Sequence, residues 1–245
     1  MTLVTRVSRR SVIGALGALA ATAALPGGLR AALAQGKIKP GPKDALIVVD
    51  VQKCFLPGGS LAVGKGDEIV PHINAMAKRF QNVILTQDWH TPGHISFAST
   101  HAGKKPFETV KLPYGTQVLW PDHCVQGTEG AELAPGLAIS HAQLIIRKGH
   151  NDKVDSYSAF VEADGKTKTG LDGYLKSRGV STVYVCGLAT DFCVAWTALD
   201  ARKLGFNAAV IEDLCRGIDT QGSLAKAWAA MKTAGVKRLD SSAIA

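Results

Sequence analysis

The 245-residue sequence has no apolar run long enough to cross a membrane as a helix. The run from Val12 to Leu25 is shorter than the roughly 20 residues that a membrane-spanning helix requires. Internal repeats and low-complexity segments are also missing, which excludes solenoid and fibrous architectures. Aromatic residues make up only 6% of the chain, and nothing resembles the basic, aromatic-interleaved patch of a nucleic-acid-binding protein.

The first 34 residues have the layout of an export signal. Ser8-Arg9-Arg10 precedes the apolar run, and Ala32-Leu33-Ala34 supplies small residues at a plausible cleavage site. The arginine pair is typical of the twin-arginine route, with a Sec signal or an uncleaved anchor as the alternative. We therefore expect residues 1–34 to direct the chain to the periplasm or another exported location, and residues 35–245 to form one domain.

Most of the excess positive charge belongs to that N-terminal segment. The formal net charge of +8 falls to +4 without residues 1–34, because they contain four arginines and no acidic residue. The other 211 residues suit one domain with a full core. Their charge predicts neither a nucleic-acid partner nor membrane contact after signal removal, whereas assembly into a homo-oligomer stays open.

Apolar strands alternate with helical patterns along the rest of the chain. Continuous apolar strands indicate a parallel sheet that is buried on both faces. The predicted fold is α/β, a three-layer sandwich with a mainly parallel, doubly wound sheet covered by helices on both faces. The predicted strands are residues 45–49, 82–86, 143–146, 181–186, 207–211 and 236–239. The predicted helices are residues 67–80, 169–178, 194–204 and 221–234, while residues 89–142 show little periodicity.

Four chemically reactive residues follow predicted strands. Asp50, Asp88 and Lys148 each lie at the carboxyl end of a strand, and Cys193 follows the fourth. In open parallel sheets this edge is where ligands bind. Taken singly, each aspartate fits a turn or helix cap and the lysine fits a solvated charge. Their common placement favours a catalytic site.

Cys193 lies in a strand, turn and helix pattern that places it in the first turn of a helix. Free backbone N–H groups and the helix dipole should stabilise a thiolate there and lower its pKa. Asp50 would accept the thiol proton and return it to a departing amine, and Lys148 would stabilise the thiolate by its charge. This set suits hydrolysis of an amide through a thioester. The alternative for Cys193 alone is a core cysteine that packs as a small hydrophobe.

A candidate metal site lies in the long aperiodic segment. Asp88 and His90 point the same way if the backbone there is extended, and His123 would supply a third ligand. One carboxylate and two imidazoles suit a single divalent ion, with zinc as the first candidate and iron or manganese as alternatives. His94 is close in sequence and is a candidate fourth ligand or supporting residue.

Several motifs together resemble the nicotinamidases, which belong to the isochorismatase-like cysteine hydrolases. The motifs are Val49-Asp-Val-Gln52, Thr86-Gln-Asp-Trp-His90, Trp120-Pro-Asp-His-Cys-Val-Gln-Gly127, Arg147-Lys-Gly149, Val154-Asp-Ser-Tyr-Ser-Ala-Phe160, Gly187-Leu-Ala-Thr-Asp-Phe-Cys193 and Asp213-Leu-Cys-Arg-Gly217. The resemblance implies a triad of Asp50, Lys148 and Cys193. It also implies that Asp88, His90 and His123 bind a divalent ion that holds the pyridine nitrogen of the substrate.

The same resemblance implies further features of the site. A cis peptide would join Leu188 and Ala189, and the N–H groups of Ala189 and Cys193 would form the oxyanion hole. The expected activity is hydrolysis of nicotinamide to nicotinate and ammonia. The implied pocket walls are Phe55, Leu61, Trp89, Trp120 and Tyr157, all of which would otherwise be explained as core residues.

Two alternatives to that function remain at the level of sequence. One is another carboxamide hydrolase of the same fold, and the other is a non-catalytic, extracytoplasmic metal-binding protein. The five cysteines leave at least one thiol unpaired within the chain, which we assign to Cys193. Whether Cys54 pairs with Cys124 stays open.

Overall fold

The computed structural model describes residues 36–245, so the predicted export signal lies outside the described residues. A parallel sheet of six strands forms the centre, in the order β5-β2-β1-β6-β7-β8. These strands are β1 (Asp44–Val49), β2 (Asn82–Asp88), β5 (Leu144–Lys148), β6 (Thr182–Leu188), β7 (Asn207–Arg216) and β8 (Lys237–Leu239). Within these described residues, no helix has the length and hydropathy to cross a bilayer.

Four α-helices flank the sheet. They are α1 (Val70–Ala77), α2 (Leu171–Ser177), α3 (Ala195–Lys203) and α4 (Ser223–Thr233). A π-helical turn, Thr190–Val194, runs directly into α3. The predicted α/β fold class is confirmed, and each predicted strand and helix is present. The α1 helix is three residues shorter than predicted at each end, and β7 extends five residues further than predicted.

The strand order explains why both faces are covered. The chain moves from β1 to β2 and β5 in one direction, and from β6 to β7 and β8 in the other. Because parallel crossovers are right-handed, connections that run in opposite directions place their helices on opposite faces. The direction changes between β1 and β6, and such a switch point leaves a crevice beyond the carboxyl ends of the two strands.

The central strands are apolar because both of their faces are buried. Ala45 to Val49 of β1 are at most 1% exposed, and every residue of β2 is buried. The long segment between β2 and β5, which showed no clear period, contains a two-stranded antiparallel hairpin of β3 (Thr109–Leu112) and β4 (Gly115–Val118). Alternation over only four residues per strand is too short to distinguish from a loop.

Gly187 marks a close approach between the two strands at the switch point. It pairs with Val49 in the β1–β6 register and has φ of +115°. A Cβ atom built there would lie 2.1 Å from the carbonyl oxygen of Val49. No L side chain fits this position without moving one of the two central strands.

Gly187→Ala should therefore destabilise the protein by about 3 kcal/mol or more, because it combines a steric clash with backbone strain. The matched control is Gly173→Ala, where an exposed glycine of α2 has open space for a Cβ and the change should stabilise by about 0.5–1 kcal/mol. Urea unfolding of both variants measures the difference. Equal stability of the two variants would contradict this account of the strand contact.

Candidate active site

The carboxyl ends of four neighbouring strands bring the predicted reactive residues together. Asp50 follows β1, Asp88 ends β2, Lys148 ends β5 and Cys193 lies in the π-helical turn after β6. Asp88 and Lys148 are direct partners in the β2–β5 register. The sheet register thus places the Asp88 carboxylate beside the Lys148 ammonium.

The Lys148 ammonium lies at the centre of this group and is 1% exposed. Its Nζ is 2.7 Å from Asp50 Oδ2 and 3.3 Å from Cys193 Sγ, and it donates to the carbonyl oxygen of Ser156 at 3.1 Å. It also forms an ion pair with Asp88. One cation therefore contacts the candidate nucleophile, the candidate base and a candidate metal ligand.

The protonation of Lys148 follows from its neighbours. Burial alone would lower the pKa of Lys148, but the charges of Asp50 and Asp88 outweigh it and hold the pKa well above its ordinary value. Lys148 is therefore a permanent ammonium in the resting site.

Asp50 is held in an unusual backbone conformation. Its φ is +48°, in the left-handed region that aspartate tolerates better than most residues. The Thr86 hydroxyl donates to Asp50 Oδ1 at 2.5 Å and accepts the Asp50 backbone N–H at 3.1 Å. Burial raises the pKa of Asp50 above its ordinary value in spite of the nearby Lys148 charge. A carboxylate with a raised pKa is a better proton acceptor for a thiol.

The expectation of a lowered pKa for Cys193 is wrong. The thiol is 6% exposed, and burial raises its pKa well above the ordinary value, although the Lys148 charge acts in the opposite direction. The helix terminus and the lysine are visible in the sequence, whereas the depth of the thiol below the surface is not. A resting thiol needs a base, and a carboxylate oxygen of Asp50 lies within 4.8 Å of Cys193 Sγ.

Asp88, His90 and His123 converge as predicted. One potential ligand atom from each lies within 4.8 Å of the others, and all three residues are buried. The Nδ1 atom of His90 is buried without a hydrogen-bond partner, so a donor atom is left free at this point. A mixed nitrogen and oxygen donor set with an unpartnered imidazole nitrogen fits a divalent ion such as zinc.

The contacts of His94 favour the supporting role over that of a fourth ligand. Its Nδ1 pairs with the Ser96 hydroxyl at 2.8 Å, and its Nε2 pairs with the Asn151 carbonyl oxygen at 2.8 Å. Burial lowers the pKa of His94 to about 4, so the ring is neutral. Both ring nitrogens have protein partners, and the ring packs edge-on against His90 with centroids 4.4 Å apart.

A small cavity, open to solvent, lies beside the nucleophile and is lined by aromatic, aliphatic and polar side chains, as small-molecule sites commonly are. Four of the five predicted wall residues line it, namely Phe55, Leu61, Trp120 and Tyr157. Trp89 does not take the predicted position in the cavity wall. It lies outside the cavity lining, and its ring centroid is 3.9 Å from Cζ of the Arg147 guanidinium.

Three lining residues were missed by the sequence analysis, namely Asp155, Phe192 and Ile218. Phe192 immediately precedes Cys193 in the sequence, and this adjacency could have identified it as a lining residue. Ile218 follows β7 at the same sheet edge, and buried Asp191 holds that loop by accepting from the backbone N–H groups of Ile218 and Asp219.

Two further features concern backbone and cysteine geometry. The Leu188–Ala189 peptide is cis, as the resemblance implied, and Ala189 lines the cavity together with Cys193. Cys54 and Cys124 form a disulfide, whereas Cys186, Cys193 and Cys215 are free. The disulfide connects the residue before Phe55 with the residue after His123.

Gln52, the last residue of the Val49–Gln52 motif, holds the backbone of Asp88 in place. Its side-chain amide donates to the Asp88 carbonyl oxygen at 2.8 Å, and its Oε1 accepts the Asp88 backbone N–H at 2.7 Å. This pair of hydrogen bonds fixes the backbone from which the Asp88 carboxylate projects.

Comparison with known proteins agrees with this architecture. The isochorismatase domain matches residues 44–243. The chain is 59% identical over 205 residues to the nicotinamidase of Acinetobacter baylyi, across 84% of this chain and 96% of that protein. A nicotinamidase and pyrazinamidase structure from Acinetobacter baumanii matches with a TM-score of 0.82 and 62% identity, over 82% of this chain and 98% of that one.

A third match is to a structure of a zinc complex. The pyrazinamidase of Pyrococcus horikoshii in complex with zinc has a TM-score of 0.66 and 37% identity, over 81% of this chain and 99% of that one. The domain match extends over most of the chain, and these relatives share both sequence and fold with it. The chain belongs to the isochorismatase family.

Proposed function

We propose that this enzyme hydrolyses nicotinamide to nicotinate and ammonia through a thioester on Cys193. The observation that carries the proposal is the contact of one buried ammonium, Lys148, with Asp50, Asp88 and Cys193. Asp88 and Cys193 line the same cavity. The identity with nicotinamidases supports the substrate. A non-catalytic metal-binding protein would have no use for the lysine beside the thiol.

The first half of the reaction forms the thioester. Asp50 takes the proton of the Cys193 thiol, and Lys148 stabilises the thiolate as sulfur attacks the carboxamide carbon. The backbone N–H groups of Ala189 and Cys193 stabilise the oxyanion. Asp50 then returns the proton to the amine, the C–N bond breaks, and ammonia leaves the acyl enzyme.

The second half releases the acid. Asp50 takes a proton from a water molecule, whose oxygen attacks the thioester carbon. The same two N–H groups stabilise the second oxyanion. The C–S bond breaks, the Cys193 sulfur regains its proton from Asp50, and the acid leaves and loses its carboxyl proton to solvent as nicotinate.

The residues Asp88, His90 and His123 would hold the divalent ion, with zinc as the first candidate. When bound, the ion supplies a Lewis acid that accepts the lone pair of the pyridine nitrogen and so orients the ring. Phe55, Trp120 and Tyr157 enclose the ring faces and exclude water. The small cavity favours single-ring carboxamides over larger amides.

We also propose that residues 1–34 export the chain and that residues 35–245 act as one domain in the periplasm. The Cys54–Cys124 disulfide supports this, because disulfides persist in oxidising compartments. N-terminal sequencing of the protein recovered from the periplasm should begin near Gln35. A periplasmic protein that begins at Met1 would contradict cleavage.

Cys193→Ala should reduce kcat/KM for nicotinamide by at least about 10³-fold, because it removes the nucleophile and leaves only binding and the oxyanion hole. The matched control is Cys186→Ala, another buried free cysteine that lies within β6 and outside the cavity. An ammonia-release assay compares the two. Similar losses in both variants would remove the case for Cys193 as the nucleophile.

His123→Ala should lose bound metal and most of the preference for nicotinamide over benzamide, which has the same carboxamide but no ring nitrogen. A site built to bind one polar atom of a substrate discriminates strongly against an analogue that lacks it. The comparison needs kcat/KM for both amides in the native and variant proteins, with metal content measured in each. An unchanged preference in a metal-free variant would contradict the proposed role of the ion.

A further inference from the structure

Asp155 is a buried carboxylate beside the candidate metal ligands. The sequence motifs assign it no role. It is 1% exposed, and it belongs to the loop that follows β5. Its Oδ1 is 3.5 Å from His90 Nε2 and accepts the Ser156 backbone N–H at 2.8 Å. Its Oδ2 accepts from Gln117 Nε2 at 2.7 Å. Both carboxylate oxygens are thus engaged.

The two nitrogens of His90 have different surroundings. Nε2 faces the Asp155 carboxylate, whereas Nδ1 is buried without a protein partner. A neutral imidazole carries one proton, and an acceptor at one nitrogen keeps the proton there. Asp155 therefore favours the tautomer with the proton on Nε2 and the lone pair on Nδ1.

The position of Asp155 is itself fixed by the hairpin. Gln117 on β4 is 2% exposed, and its Nε2 is 2.9 Å from the Tyr157 hydroxyl in addition to its bond with Asp155. The Trp120 indole N–H donates to the same hydroxyl at 3.0 Å. A continuous hydrogen-bonded chain therefore runs from His90 to two aromatic residues of the cavity wall.

We propose that Asp155 is a positioning residue that holds the His90 ring with Nδ1 directed to the metal site. It acts through His90, because both of its carboxylate oxygens already face protein donors. The inference rests on the proposed metal site formed by Asp88, His90 and His123. Partners of this kind fix the orientation of an imidazole and raise its basicity, and their loss commonly weakens metal binding by about 10–100-fold.

The test measures zinc affinity directly. Full-length native protein, Asp155→Ala and Asp155→Asn are titrated with zinc against a chromophoric chelator. Asp155→Ala should bind zinc about 10–100-fold more weakly. Asp155→Asn should fall between that variant and the native protein. An amide oxygen at the Oδ1 position still faces His90 and Ser156, but the negative charge and the acceptor for Gln117 are lost.

The matched control is Asp172→Asn. Asp172 on α2 is a mostly buried carboxylate that pairs with Lys168 and belongs to none of the groups of described residues that could hold a metal ion. The zinc affinity of the Asp172→Asn variant should stay at the native value. A second measurement separates positioning from general damage to the fold, because saturating zinc should restore most of the nicotinamidase kcat of Asp155→Asn.

The outcomes separate this inference from the proposed function. Native zinc affinity in folded Asp155→Asn and Asp155→Ala would overturn the role of Asp155 and leave the proposed function intact. Failure of the native protein to bind zinc would overturn the inference, whereas failure of the native protein to release ammonia from nicotinamide is the result that would overturn the proposed function. If Asp155→Ala does not fold, the near-isosteric Asp155→Asn decides alone, and native affinity in that variant overturns the inference.

Discussion

The site depends on one buried positive charge. Asp50 and Asp88 are both almost inaccessible to water, and two unpaired carboxylates at this depth would each cost several kcal/mol. The Lys148 ammonium contacts both and also reaches the sulfur of Cys193. The protonation of each neighbour therefore depends on the others, and these four residues must be treated as one titrating group.

The parallel sheet explains how charges that are far apart in sequence come together. Strands β5, β2, β1 and β6 are adjacent, and each contributes one of the reactive residues at its carboxyl end. Although β5 is an edge strand, the segment after it returns over the sheet, and the Ser156 carbonyl oxygen accepts from Lys148. The same segment carries Asp155 to His90 of the candidate metal site, so it contacts both the lysine and a candidate metal ligand.

Those parts of the site that depend on local pattern could be predicted from the sequence. Apolar strands followed by Asp50, Asp88 and Lys148 are visible without a structure, because a parallel sheet collects its strand ends at one edge. Other features depend on contacts between distant segments. The position of Trp89 outside the cavity lining goes with its stacking on Arg147, and the contribution of Ile218 follows from the loop held by Asp191. The raised pKa of Cys193 reflects burial, which no motif reports.

The π-helical turn Thr190–Val194 has an evolutionary consequence. Such a turn contains one residue more than the α-helical turn it replaces, and it is frequent at functional sites. Removing one residue would rotate the preceding side chains by roughly 100° relative to α3. Phe192 and Cys193 would then turn away from the cavity together, because they are adjacent in the chain. Insertions and deletions should therefore be rarer in this turn than substitutions across natural variants of the enzyme.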